Sequence, residues 1–160
     1  MPPFEIEVGA PAPGLDIALQ NQSGEQIRLS DFSGRNVVVY FYPMDDAPGC
    51  TVEGKEFRQL RDQFAAIDCA IVAVSTDSVE SHRRFAEKHA LLFPLLADTK
   101  GELASGFGVL KGTRALRATF VLSRDSKIRR VYHDVTPRGH AQEVLNFVRD
   151  LVESRRMIGG

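Results

Sequence analysis

The sequence predicts an α/β sandwich whose parallel strands come first and whose antiparallel hairpin comes last. Three observations predict it. Val37–Tyr42 and Ala70–Val74 are uncharged runs of β-branched, aromatic and small residues, the composition of strands buried on both faces. Between them Val52, Phe57, Leu60 and Phe64 recur at helical spacing, while Lys55, Glu56, Arg58 and Arg61 take the opposite side. Near the end, Thr119–Leu122 and Ile128–His133 flank the turn sequence Arg124–Lys127, a hairpin pattern.

Taken in order, Gly9–Gly14 is an extended, Pro-rich lead-in. Ile17–Leu19 and Gln26–Leu29 flank Asn21–Gly24 and predict an N-terminal hairpin. Ser30–Gly34 is a turn into the buried strand, which Pro43 ends because proline cannot donate to a ladder. Pro48 presets the first turn of a helix. Asp77 or Ser78 caps a second helix with Val79, His82, Ala86 and His89 on one side. Leu91–Ala97, broken by Pro94, is a short strand, and Thr99–Phe107 holds a brief helix. Ala141, Val144, Leu145, Val148, Leu151 and Val152 give the strongest amphipathic helix. A frayed tail is expected from Arg155. The result is a central mixed sheet flanked by helices, a thioredoxin-like pattern, in one domain over residues 1–160.

Composition limits the function classes. At 160 residues, 43% hydrophobic and 26% charged, the chain is an ordinary globular domain. A net charge of −1 suggests neither nucleic acid nor an anionic membrane as partner. The longest apolar run is six residues, far short of a membrane span, and Met1–Val8 lacks the basic and apolar regions of a signal peptide. Two cysteines are too few for a disulfide scaffold, so a reducing compartment, the cytoplasm, is expected.

The chemistry concentrates where the first buried strand hands over to a helix. Cys50 sits there, at the positive end of the helix dipole, where a thiolate is stabilised. A buried structural cysteine is the alternative. Glu53 lies in the first helical turn, either as a dipole partner or as the group that fixes an arginine near the sulfur. Arg117 is the candidate arginine, because it leads the strand Ala118–Leu122; Arg114, in a Lys-Gly-Thr-Arg loop, reads as solvated. A permanent cation beside the thiol favours thiolate and stabilises charge developing on an attacked oxygen. Cys50 begins no Cys-x-x-Cys, so ordinary dithiol exchange is not indicated. Gly101–Gly108 lacks the lysine of a phosphate loop, and His82, His89, His133 and His140 are scattered imidazoles with no metal-ligand spacing, so no cofactor or metal is expected. Asp45 and Asp46 could serve phosphoryl transfer, but as adjacent acids in a polar loop they read as solvated.

These residues resemble the peroxiredoxins, specifically the bacterioferritin-comigratory-protein or Q subfamily. The similarity runs from about Val8 to Asp150: Gly9–Pro13, Leu29–Pro43, the signature Pro48-Gly-Cys-Thr-Val-Glu53, Ser75–Asp77, Phe93–Asp98, Phe107–Val109 and Arg117–Phe120. The resemblance implies a thioredoxin-like fold and reduction of hydrogen peroxide or organic hydroperoxides by Cys50. It implies that Pro43 shields the pocket, that Arg117 stabilises thiolate and peroxide, and that Glu53 orients the arginine. It also implies thioredoxin or another external thiol as reductant, and a monomer or weak homodimer. Two departures stand out. Ala47 replaces the threonine of the Pro-x-x-x-Thr-x-x-Cys motif, and Lys55 and Ala86 occupy the positions where a resolving cysteine is usual. Cys69, at the start of a buried strand, reads as structural. The departures leave a non-catalytic thioredoxin-fold binding module as the alternative.

Overall fold

The computed structural model describes residues 6–157, so the readings that rest on residues 1–5 and 158–160 lie outside the described residues. The expected N-terminal hairpin is present but short, pairing β1 (Leu19–Gln20) with β2 (Gln26–Ile27). Its turn is closed by buried Asn21, whose Oδ1 accepts the N–H groups of Ser23 and Glu25 at 2.9 and 3.0 Å. Leu29 then leaves the ladder to start a 3-10 turn, Leu29–Phe32, that drops its side chain into the core.

The elements that follow largely match the pattern. Strand β3 (Asn36–Phe41) is buried throughout, and helix α1 runs Pro48–Ala66 with Pro48 in its first turn. Strand β4 (Cys69–Ser75) is also wholly buried. Helix α2 (Val79–His89) is capped by Ser78, whose Oγ accepts the Ser81 N–H at 3.1 Å. Pro94 confines β5 to Leu95–Ala97, and α3 spans only Glu102–Gly106. A hairpin that the sequence reading missed comes next, β6 (Leu110–Lys111) and β7 (Arg114–Ala115), turning through Gly112 at φ 62°. Strands β8 (Ala118–Leu122) and β9 (Ile128–Tyr132) form the expected antiparallel pair, and α4 runs His140–Met157. Arg155 is therefore helical rather than the start of a frayed tail.

The central sheet has the order β5-β4-β3-β8-β9. Strands β5, β4 and β3 are parallel, and β8 and β9 are antiparallel, a mixed sheet. Alternation along β3 splits the core in two. Val38, Tyr40 and Tyr42 face Phe57 and Phe64 of α1, Phe85 of α2 and Val144 and Val148 of α4. Val37, Val39 and Phe41 face Leu103, Phe107 and Leu29 on the other side. Phe57 and Phe64 are wholly buried, which contributes about 1.5–3 kcal/mol each. Leu60 packs against the core from a half-buried position, but Val52 lies at the edge, because the inward face of α1 runs through Cys50, Glu53, Gly54, Phe57 and Phe64.

Register positions the site. Phe41 pairs with Ala118, so Arg117 stands level with the point where β3 ends and the chain turns toward α1. On the same face of the sheet as α1, the β9–α4 connection ends at His140. Its ring is buried, lies 2.8 Å by Nε2 from Thr119 Oγ1, and meets Tyr132 and Phe57 edge-on.

Burial, reinforced by the nearby Arg117 charge, pushes the His140 imidazole down to about 4 from an ordinary 6.5. The folded pKa lies below the unfolded one, so His140 favours the fold above pH 6.5, and this contribution is lost as pH falls toward 4. Denaturant midpoints of the parent and His140→Gln should diverge as pH rises through that window, with a difference of slope of up to about 1.4 kcal/mol per pH unit. Parallel curves would show that His140 titrates alike in both states.

Candidate active site

The chain leaves β3 through Tyr42 and Pro43 and reaches α1 at Ala47, the N-cap residue, with φ −66° and ψ 147°. Alanine offers no side-chain acceptor, so no side chain caps the helix from this position. The first-turn N–H groups point outward, as at any helix start, and Cys50 is the third helical residue among them. Its residue is only 2% exposed.

Arg117 reaches this corner from the other side. Its Nη2 donates to Cys50 Sγ at 3.3 Å and its Nη1 to Glu53 Oε1 at 2.8 Å. One guanidinium thus spans the two residues that the sequence singled out on α1. Burial works against the guanidinium charge, but Glu53 and Cys50 more than offset it, and Arg117 is raised above the ordinary arginine range. Glu53 is wholly buried, and its Oε2 has no hydrogen-bond partner among the described residues. That burial pushes its carboxyl up to about 7 against the pull of Arg117. Pro43 is half-buried and its carbonyl accepts from Arg114 Nη1 at 3.5 Å.

Arg114 is exposed, as the sequence reading has it, but it lies on β7 rather than in a loop, and it pairs with Asp77 at 2.9 Å. A larger correction concerns the acidic pair. Asp46 is exposed and binds Lys88 and His89, at 2.9 and 3.3 Å, but Asp45 is buried. The Asp45 carboxylate accepts from Tyr42 Oη at 2.6 Å and Ser81 Oγ at 2.7 Å, and lies 2.8 Å from His82 Nδ1. Burial raises that carboxyl, yet the bonds from His82, Tyr42 and Ser81 outweigh it and hold Asp45 below its usual range. His82 is wholly buried, and its Nε2 donates to the Leu96 carbonyl at 3.0 Å. The loop before Cys50 is thereby bound to α2 and β5. Residues 37 positions apart make the central contact, and no local spacing announces it.

Asp45, Asp77 and His82 bring metal-ligating atoms within 4.8 Å of one another. The donor set does not suit an ion, because its lone pairs are taken. Asp77 Oδ2 accepts the Asp45 N–H and the Ser75 hydroxyl, Asp77 Oδ1 accepts Arg114, and the Asp45 oxygens hold Tyr42 and Ser81.

Cys69 stands apart. It is buried, its Sγ contacts the Ala70 carbonyl at 3.6 Å, and burial pushes its thiol up to about 12. Cys50 is near the start of the 19-residue α1 and Cys69 lies beyond its end. At ~1.5 Å per residue that separates them by roughly 25 Å, against the ~7 Å limit between Cα atoms for a disulfide.

Comparison with known proteins shows the family. The AhpC/TSA family profile matches residues 8–131. Peroxiredoxin Bcp of Bacillus subtilis is 38% identical over 156 residues, covering 92% of this chain and 98% of its own. Chloroplastic peroxiredoxin Q of Sedum lineare is 39% identical over 137 residues, 83% of this chain and 74% of its own. Among solved structures, a cysteine-to-serine mutant of Xylella fastidiosa PrxQ superposes with a TM-score of 0.89 at 33% identity, over 92% of this chain and 98% of that one. The bacterioferritin comigratory protein of Xanthomonas campestris, characterised for alkyl peroxide reduction, gives 0.86 at 34% identity, with the same coverage of both chains.

The contact between guanidinium and sulfur has a direct test. Arg117→Met keeps much of the side-chain bulk and removes the charge. It should lower the thiolate absorbance of the reduced protein at neutral pH and slow alkylation of Cys50 by iodoacetamide about tenfold or more. Equal alkylation rates in both proteins would mean that Arg117 does not govern the sulfur.

Proposed function

The chain belongs to the AhpC/TSA family as a peroxiredoxin, a thiol peroxidase, and from that premise we propose that Cys50 is its peroxidatic residue. The observation that carries the reading is the Arg117 guanidinium, 3.3 Å from Cys50 Sγ and fixed by Glu53 at 2.8 Å. Cys50 loses its proton to solvent, and the thiolate attacks the terminal oxygen of a hydroperoxide in line with the O–O bond. An S–O bond forms, the O–O bond breaks, and the leaving alkoxide or hydroxide takes up a proton to become alcohol or water. Sulfur is oxidised by two electrons to the sulfenic acid and the peroxide is reduced by two. Arg117 favours the thiolate at the start and opposes the negative charge spreading over the two oxygens. Glu53 holds the guanidinium in place, and half-buried Pro43 walls the approach.

The distance between Cys50 and Cys69 supports recovery by an external thiol, thioredoxin or a small thiol. The first reducing thiol forms a mixed disulfide and releases water, and the second frees Cys50 and leaves as the oxidised reductant. Neither residue at the usual resolving positions, Lys55 or Ala86, can substitute. Two free cysteines fit a reducing compartment, and the cytoplasm is the one proposed. No helix among the described residues is long and apolar enough to cross a membrane. A monomer or weak homodimer is the assembly proposed.

Stopped-flow consumption of hydrogen peroxide by the reduced protein, followed by intact-mass measurement, tests the reading. One equivalent should be consumed rapidly, with gain of one oxygen at Cys50 or a mixed disulfide, and Cys50→Ser should consume none. A Cys50–Cys69 disulfide, with loss of two hydrogens, would overturn the external-thiol route. Peroxide consumption that survives Cys50→Ser would remove Cys50 from its role.

Ala47 gives a second expectation. A lost hydrogen bond to developing charge costs about 2.7–4 kcal/mol in a preorganised site, or roughly a hundred- to a thousandfold in rate. Ala47→Thr should therefore raise the second-order rate with peroxide at least about tenfold, or ~1.4 kcal/mol of barrier. Position 47 is also the N-cap of α1, so the same substitution should add about 1 kcal/mol of stability. A stability gain without a faster rate would show that the hydroxyl caps the helix and serves no catalytic purpose.

A further inference from the structure

We propose that the β9–α4 connection is part of the active site, and that Pro137, acting through Gly49, positions the Arg117 guanidinium against Cys50. The inference rests on the peroxidase reading for its functional meaning, but its geometry stands independently. Gly49 precedes Cys50, and a Cβ placed on it would lie 3.1 Å from Arg117 Nη2 and 3.3 Å from Pro137 Cγ. The same Nη2 donates to the sulfur. The hydrogen-only side chain of Gly49 thus faces both the guanidinium and the proline ring, and a methyl group there would require one or both to shift by a few tenths of an ångström.

The ring is held in place from both sides of the site. Gly139 N–H donates to Glu56 Oε1 at 2.8 Å, which ties the connection to α1 six residues beyond Cys50. His140 Nε2 lies 2.8 Å from Thr119 Oγ1, which ties it to β8 two residues beyond Arg117. Val135 packs against the core cluster that contains Cys50. The connection thus braces the two elements that carry the two halves of the site, and Pro137 lies two residues before the first of these anchors. A proline has its φ fixed and little freedom to yield, so the wall it makes is stiff. Glu53 holds Nη1 of the guanidinium, and the Gly49–Pro137 wall limits where Nη2 can go. Pro137 acts on the guanidinium through Gly49 and not on the sulfur itself. It is a positioning residue.

The experiment uses the full-length reduced protein and reads the sulfur without peroxide, so its failure is distinct from failure of the peroxidase assignment. Iodoacetamide alkylation of Cys50 is followed across pH in the parent, Gly49→Ala, Pro137→Gly and the double variant. Thermal melts show which variants are folded. Gly49→Ala should slow alkylation near neutral pH roughly five- to tenfold by pushing the guanidinium off the sulfur, and Pro137→Gly should slow it by a smaller factor. The double variant should recover most of the Gly49→Ala loss, because the added methyl group takes the place of the removed ring. Recovery by a second substitution is not expected of a merely structural defect. If both single variants alkylate as the parent does, or the double variant is no better than Gly49→Ala, the proposal is wrong. Should Gly49→Ala not fold, Pro137→Gly decides alone: an alkylation profile unchanged from the parent rejects the role.

Discussion

One guanidinium ties together the corner where β8 meets the start of α1. Arg117 enters from the start of β8, and Cys50 and Glu53 enter from the first turn of α1, elements that share no local sequence. The antiparallel register of β3 and β8 and the parallel register of β3 and β4 place these ends at the same corner of the sheet. Burying Glu53 completely is expensive on its own, and its partner must stay charged for the arrangement to hold. Removing the arginine would leave a buried carboxyl with no partner at either oxygen. The fold and the site are coupled through that one side chain.

Around it the structure supplies support that carries no chemistry of its own. Asp45, His82, Tyr42 and Ser81 fasten the loop between β3 and α1 to α2. The Asp77–Arg114 pair joins the β6–β7 hairpin to the same region, and Arg114 also reaches the Pro43 carbonyl. Asp45, His82 and Tyr42 are buried and all of these groups are partnered, so a polar layer fastens the loop that leads to Cys50.

The sequence made the sheet legible where each strand's burial is uniform. Val37–Tyr42 and Ala70–Val74 are uncharged because both of their faces are covered, and α4 shows its stripe because only one of its faces is. Cys50, Glu53 and Arg117 were legible for a different reason: helix starts and strand ends are the places where side chains can converge. Contacts between distant segments were not legible. Asp45 looked like a solvated loop residue because nothing nearby in sequence points to His82, and the ion pair of Arg114 escaped notice because Asp77 is 37 residues away. The two-residue strands β6 and β7 are too short to show alternation. Gly49 and Pro137 carry no charge and no pattern, and only their proximity in space gives them meaning.

Glu53 and His140 both feel the Arg117 charge, and burial perturbs them in opposite senses. The carboxyl rises from 4.5 to about 7, and the imidazole falls from 6.5 to about 4. Between pH 4.5 and 6.5 the folded protein keeps a proton on Glu53 and none on His140, whereas an unfolded chain has the reverse. Unfolding in mild acid then relocates one proton from the carboxyl to the imidazole, with no net uptake by the pair. Each group alone would make stability depend on acidity, one rising and the other falling. Between them the two groups oppose each other's effect on stability as the solution is acidified, so the carboxyl that Arg117 holds and the imidazole near it partly cancel.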